Sequence, residues 1–141
     1  MLVASPGAWI AYDRWYGRGG DRPVAWRDGT AAVRGAFFRR GVTRTIESRE
    51  ELREVLGGGR APEIDFARRR AVLVSVGPRS SPAYRLRVES VREERRHVVV
   101  VVRERSPQLG QPAPVRVSSP FLLLTLPAGA KPVTVELAGR P

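Results

Sequence analysis

The most prominent chemically active residues of this 141-residue chain are its arginines. The chain holds 25 Lys and Arg against 14 Asp and Glu, a formal net charge of +11, and Lys131 is its only lysine. The excess is concentrated in residues 68–105, which carry eleven arginines against four glutamates. Guanidinium groups suit phosphates and carboxylates because they present several donors in one plane. This concentration predicts one basic face rather than a uniformly basic surface.

Alternation within this block predicts which arginines share a face. Tyr84, Leu86 and Val88 alternate with charged residues, a pattern typical of a half-buried strand, and a valine-rich strand follows as its hairpin partner. The arginines expected on the exposed side of this hairpin and its turn are Arg85, Arg87, Arg95, Arg96, Arg103 and Arg105. They predict weak binding of nucleic acid or another polyanion, although few aromatic residues accompany them for base stacking. Exposed arginines also prevent edge-to-edge aggregation, so a structural explanation stays open.

Residues for nucleophilic or metal-assisted catalysis are sparse. His97 is the only histidine and cysteine is absent, so the usual nitrogen and sulfur ligands of zinc are missing. A hydrolase would have to combine His97 with a carboxylate and one of the nearby serines, which are Ser75, Ser80 and Ser81. No G-x-S-x-G motif supports that combination. We therefore expect no enzyme activity and no cofactor.

Outside the helix, the candidate carboxylate pair is Glu63 and Asp65. Two residues apart on an extended segment, they would share a face and suit a weak Ca²⁺ or Mg²⁺ contact. No EF-hand or similar loop surrounds them, and Pro62 and Phe66 favour a structural turn. We expect no metal site, and a hydrolase would require a carboxylate pair that is buried and close together.

Short strands and one helix position these residues. The helix is predicted from Ser48 to Leu56, because Ser48 and Glu51 have capping-box spacing and three glycines follow at 57–59. Strands are predicted over residues 42–46, 71–76, 84–88, 97–102, 115–118, 121–126 and 133–137. The links are too short for parallel crossovers. We expect a mainly β (α+β) fold: a single, mostly antiparallel sheet or sandwich of six or seven strands with one short helix.

Residues 1–30 differ in composition from residues 31–141, which are expected to form the β domain. They hold all three tryptophans and a glycine-rich run at 17–20, and predict loops or short strands. The first residues lack a basic region, and Pro6 and Gly7 interrupt their apolar run, so no signal peptide is expected. Without cysteine there is no lipobox, and no apolar stretch approaches the roughly 20 residues of a membrane helix. The compartment stays open.

Several sequence blocks follow one another in a recognisable order. They are TRTIESREELREVL, PEIDF, AVLVSVG, PRSSPAYRLRVESV, a valine-rich strand closing on Ser106-Pro107, and SPFLLLTLP. Over about residues 42–137 this series resembles the C-terminal domain of the PrcB family, accessory subunits of a bacterial protease complex that tend to be exported. The loop before the tyrosine typically reads Thr-Gly-Gly-Tyr in that family and reads Ser81-Pro82-Ala83-Tyr84 here. The change removes two glycines and one backbone donor.

The resemblance implies an accessory or protein-interaction domain without catalysis of its own, whose partner is another protein such as a protease. Binding residues usually lie on loops held by a rigid scaffold, which directs attention to residues 78–84 and 106–114. The candidates for partner binding are Arg79, Ser80, Ser81, Pro82 and Tyr84. Tyr84 is in phase with Leu86 and Val88, so a core position and a contact position both stay open.

Overall fold

The computed structural model describes residues 21–139, which form two stacked four-stranded β-sheets and one α-helix. The strands are β1 (Arg22–Pro23), β2 (Arg27–Asp28), β3 (Gly41–Ile46), β4 (Arg69–Val76), β5 (Arg85–Glu93), β6 (Val98–Arg105), β7 (Phe121–Pro127) and β8 (Val133–Ala138). The helix α1 spans Arg49–Leu56, and a short 3-10 helix spans Thr30–Ala32. The predicted mainly β fold with one short helix is confirmed.

The chain divides its strands between the two sheets by crossing from one to the other. Sheet A has the order β1–β5–β6–β8, and sheet B has the order β2–β7–β4–β3. All pairs are antiparallel except β6–β8, in which Val98 lies opposite Val133. After β6 the chain enters sheet B as β7 and returns as β8 in the original direction. This excursion supplies the crossover that a direct link would be too short to make.

Two apolar layers hold the sheets and the helix together. Val72 and Val74 of β4 face sheet A and join one buried cluster with valines of β6 and leucines of β7. Ala71 and Leu73 face the other way and pack with Leu52 of the helix. Because β4 is covered on both faces, its sequence is a continuous apolar run, as expected for a central strand.

The helix begins and ends as predicted. The Ser48 hydroxyl accepts a hydrogen bond from the Glu51 backbone N–H at 3.1 Å, and the Glu51 carboxylate accepts one from the Glu47 N–H at 3.0 Å. At the other end Gly57 adopts a left-handed conformation with φ 63°, and its N–H donates to the Arg53 carbonyl. These contacts satisfy the free donors and acceptors at the helix ends.

Residues 115–118 do not form the predicted strand. Their regular pairing is limited to an isolated bridge between Ser118 and Arg79, and Val115 and Val117 are exposed. The prolines at 112 and 114 lack N–H donors, and the segment follows a loop rather than a sheet edge. The strand total nevertheless reaches eight, because β1 and β2 each add two residues to a sheet.

The structure describes only part of the N-terminal segment for which predictions were made. Residues 1–20, and with them the predicted absence of a signal peptide, lie outside the described residues. Within residues 21–30, β1 pairs with β5 and β2 pairs with β7. No helix within residues 21–139 is long and apolar enough to cross a membrane.

Candidate functional site

One end of the sandwich is built from two loops, residues 77–84 and 106–120, which we call the loop end. Gly77 starts the first loop with φ 79°, and a Cβ there would lie 3.3 Å from the backbone of Arg40 and Gly41. The second loop lies against the first: the Arg79 N–H donates to the Ser118 carbonyl at 2.6 Å, and the Ser118 N–H donates back at 2.9 Å. Backbone pairing therefore ties the two loops together.

The side chain of Arg79 is used inside the fold. Its Nε and Nη2 bind the two carboxylate oxygens of Glu104 at 2.6 and 3.0 Å, and its Nη1 donates to the carbonyls of Val76 and Pro78. Glu104 is on β6 with its side chain 7% exposed, so this ion pair joins the two sheets. The hydrogen bond that Arg79 donates to Glu104 is the main cause of the raised pKa of Arg79, and the nearby Tyr84 also raises it. Arg79 holds the loop in place.

The other predicted contact residues differ in their accessibility. Ser80 is exposed, and its carbonyl accepts from the Arg116 N–H at 3.0 Å. Ser81 is 4% exposed, and its hydroxyl accepts from the Ala83 N–H, which closes a tight turn. Pro82 and Tyr84 are half-buried. The structure thus brings all five candidates into one loop and leaves Ser80 the most accessible of them.

The second loop carries exposed apolar side chains that the sequence patterns did not single out. Leu109, Val115 and Val117 are 105%, 96% and 66% exposed. The large exposed apolar residues of the described chain are Trp26, Phe37, Leu109, Val115, Val117 and Leu137. Half of them therefore lie in one loop. The prolines around 112–114 are the signal that would have argued against a strand and for exposure of Val115.

A pocket of about 310 Å³ lies where the first loop meets this second loop. Its walls come from Ala83, Arg85, Arg105, Ser106, Gln108, Gln111 and Pro112. Arg85 and Arg105 lie directly opposite each other on β5 and β6. Within residues 21–139 neither guanidinium has a carboxylate partner. The pocket therefore combines apolar backing with two uncompensated positive charges.

The predicted arginine face is divided by the structure. Arg87 and Arg103 form a second cross-strand pair beside Arg85 and Arg105, as the alternation predicts. Glu89 is bound by Arg103 Nε at 2.7 Å and lies 3.7 Å from Arg87 Nη2. Its hydrogen bond to Arg103 is the main cause of its lowered pKa, and the same bond raises the pKa of Arg103.

Arg95 and Arg96 are not part of this group. They are exposed in the turn between β5 and β6, at the far end of the hairpin from Arg85. The length of β5 separates them by about 30 Å, at roughly 3.3 Å per residue. Four of the six predicted arginines therefore share one patch, and two lie apart from it.

The residues considered for catalysis are also distributed over the molecule. His97 is exposed in the turn before β6, whereas Ser80 and Ser81 lie at the loop end. Glu63 is exposed and pairs with Arg49 at 3.5 Å, and the Asp65 carboxylate accepts from the Ala67 N–H at 3.1 Å. Each of these carboxylates makes a local structural contact.

Fold and site together define a two-sheet β domain whose distinctive surface is made of loops at one end. Residues 70–127, from β4 through β7, match the protein-family model described as PrcB C-terminal. This match confirms the resemblance over residues 70–127, a segment that contains both loops of the loop end. No curated protein and no solved structure matches the chain.

Proposed function

We propose that this chain is a non-catalytic accessory domain that binds another protein through its loop end. The observation that carries the proposal is the grouping of Leu109, Val115 and Val117, fully or largely exposed, in a loop tied to the scaffold by backbone bonds. Large apolar side chains that are exposed along one loop are candidate anchors for a protein partner. A loop that is already held in place has less ordering entropy to lose when it binds.

Charge around the loop end favours an acidic partner surface. Arg85, Arg105 and Arg116 are exposed there, and none has a carboxylate partner within residues 21–139. Complementary charge at the rim of an interface speeds association and selects the partner. Because members of the PrcB family are accessory subunits of a protease complex, a protease subunit with an acidic docking surface is the partner we propose.

Affinity capture with matched variants tests this proposal. The tagged chain and a Leu109→Ser/Val115→Ser/Val117→Ser variant are incubated with nuclease-treated extract of the source cells. The proposal expects one protein to be recovered in stable amounts with the original chain and reduced at least about tenfold with the variant. Trp26→Ser is the control, because Trp26 is exposed outside the loop end. Equal recovery by the triple variant would argue against the loop end as the contact surface.

The second candidate function is polyanion binding by Arg85, Arg87, Arg103 and Arg105. What favours it is that two pairs of like charges lie directly opposite each other, an arrangement that is unfavourable for a sheet by itself. Binding of heparin or duplex DNA should then weaken steeply as salt increases, since phosphate contacts release counterions. Arg85→Ala/Arg87→Ala/Arg103→Ala should abolish it. A flat salt response would exclude this candidate.

A further inference from the structure

At the end of the sandwich opposite the loop end, Arg70 is buried and has no carboxylate partner among residues 21–139. It is in phase with Val72 and Val74 on β4, so its side chain points between the sheets, and the residue is 5% exposed. Its Nη1 donates to the Lys131 carbonyl at 2.7 Å, and its buried Nε has no hydrogen-bond acceptor among residues 21–139. A buried cation with an unsatisfied donor is costly, and such a group in a folded protein requires an explanation.

Arg79, at the loop end, shows how this fold satisfies the hydrogen-bond donors of a guanidinium. There Nε and Nη2 together bind the two oxygens of Glu104. In Arg70, Nη1 donates to the Lys131 carbonyl, and the buried Nε is the atom without an acceptor among residues 21–139. Nη2 lies beside Gly129, and a carboxylate is the group that pairs most strongly with a guanidinium.

A pocket of about 210 Å³ gives access to Arg70. Its walls are mainly apolar and come from Val24, Val98, Leu126, Pro127, Ala128, Gly129 and Ala130, with Glu93 and Lys131 at its polar side. Lys131 Nζ is engaged by Glu93 at 2.6 Å and by the Glu94 carbonyl at 2.9 Å. The positive charge of Arg70 is therefore the one left uncompensated, and it calls for a single negative charge.

We propose that this pocket binds a monocarboxylate with a short aliphatic arm. The carboxylate would pair with Nη2 of Arg70, which lies beside Gly129 in the pocket wall, and the arm would pack against Val24 and Ala128. The same chemistry is offered by a free branched short-chain acid and by the C-terminal carboxylate of a peptide ending in a small apolar residue. This site is distinct from the loop end and does not depend on the function proposed for it.

Calorimetric titration of the full chain tests the proposal and separates the two sources. The probes are isovalerate and acetyl-Ala-Val with a free carboxylate, and the controls are the corresponding amides. We expect isovalerate to bind with a Kd on the order of 1 mM, given its few heavy atoms, and its amide at least about tenfold more weakly. Tighter binding of the peptide would identify a peptide C-terminus, and tighter binding of isovalerate a free acid. Acids that bind no better than amides would overturn the proposal.

Two substitutions at Gly129 test whether a carboxylate supplied by the protein itself can replace the ligand. A Cβ at this position would lie 3.6 Å from Arg70 Nη2, an ordinary contact distance. In Gly129→Asp the new carboxylate would occupy the guanidinium, so we expect a higher melting temperature and loss of isovalerate binding. Gly129→Asn adds a side chain of the same shape without the charge and should show no comparable rise. Unchanged isovalerate binding by Gly129→Asp would contradict the site.

Removal of the guanidinium, and separately of the one side-chain carboxylate in residues 1–20, completes the series. Arg70→Gln should lose isovalerate binding at least about tenfold, because glutamine has no positive charge to pair with the carboxylate. Asp13 is the only carboxylate of residues 1–20, so Asp13→Asn is titrated in parallel with the original chain. Binding by either protein supports the site, and absence of binding from both overturns it.

Discussion

At the scale of the residue, arginine has three roles in this molecule, and its surroundings decide which. Arg79 is neutralised by Glu104 and joins the two sheets. Arg85 is exposed beside the loop end with no carboxylate partner in the described chain. Arg70 is buried and lacks an acceptor for its Nε within the same residues. The same side chain thus stabilises the fold at one position and remains available for a ligand at the other two.

The ion pair between Arg79 and Glu104 should be essential for stability at the loop end. Glu104→Ala would leave a partly buried guanidinium without its carboxylate, so we expect a loss of about 2–4 kcal/mol in the free energy of unfolding. Urea denaturation measures it. Arg79→Leu/Glu104→Leu should recover part of the loss, because it removes both charges. A loss below about 0.5 kcal/mol in Glu104→Ala would show that the pair contributes little.

The carboxylate of Glu89 should titrate below the ordinary range of glutamate. Arg103 and Arg87 favour its charged form, so its pKa lies below the usual 4.5. Because the pKa of Glu89 is lower in the folded state than in the unfolded state, its carboxylate stabilises the fold at pH values above its unfolded-state pKa. This stabilisation is lost as the pH falls through the folded-state pKa. NMR titration of the Glu89 carboxyl measures the midpoint, and Arg103→Gln should move it upward. An unchanged midpoint in that variant would contradict the assigned cause.

Residue patterns predicted the shared face of Arg85 and Arg105 because alternation on a strand is a local property. Residue patterns could not predict the role of Arg79. Its partner Glu104 is 25 positions away in the sequence and on the other sheet, and no spacing rule relates the two. A contact between sheets depends on how the sheets stack, which a local pattern does not contain.

At the scale of the element, the helix depends on its ends as well as on its packing. It has only eight residues, too few to persist alone in water, so capping contributes a substantial share of its stability. Leu52 and Leu56 anchor it on sheet B. Both features were predictable, since the capping-box spacing and the apolar spacing lie within ten residues of sequence.

Removal of the helix cap should have a measurable cost. Ser48→Ala leaves the Glu51 N–H without its acceptor, and we expect the free energy of unfolding to fall by about 1 kcal/mol. Ser80→Ala is a suitable control, because Ser80 is exposed and its carbonyl rather than its hydroxyl makes the described hydrogen bond. Equal stability of the two variants would mean that the cap is unimportant.

The element that sequence patterns misassigned is residues 115–118. Val115 and Val117 have the β-branched character of a strand, but a strand also needs a neighbour with free backbone groups. For this segment the fold provides only the bridge between Ser118 and Arg79 and one hydrogen bond from the Arg116 N–H to the Ser80 carbonyl. The resulting exposure of two valines is what makes the loop a candidate contact surface.

At the scale of the whole molecule, the sandwich separates its functional candidates. The loop end carries exposed apolar side chains with arginines around them, and the opposite end carries the Arg70 pocket. The two stacked sheets separate these ends, so a substitution at one end should not change the structure of the other. Variants at Leu109 and Gly129 are therefore expected to have independent effects.

The strand content of the fold could be predicted, but the assignment of strands to sheets could not. Short links indicated antiparallel pairing, which holds for every pair except β6 with β8. That pair is parallel because β7 lies in the other sheet, and this partition depends on long-range packing rather than on loop length. The family resemblance was predicted over about residues 42–137, and the family model matches residues 70–127 within that range. An ordered series of blocks is specific where single blocks are not.

The most direct test of the central claim is site-specific photocrosslinking in the source cells. A photoreactive amino acid is placed at Val115 in the loop end and, as a control, at Thr134, which is exposed on β8. If the loop end binds a partner protein, Val115 should give one discrete covalent adduct, identifiable by mass spectrometry, and Thr134 should not. The absence of an adduct at Val115, or identical adducts at both positions, would contradict the proposed interaction function.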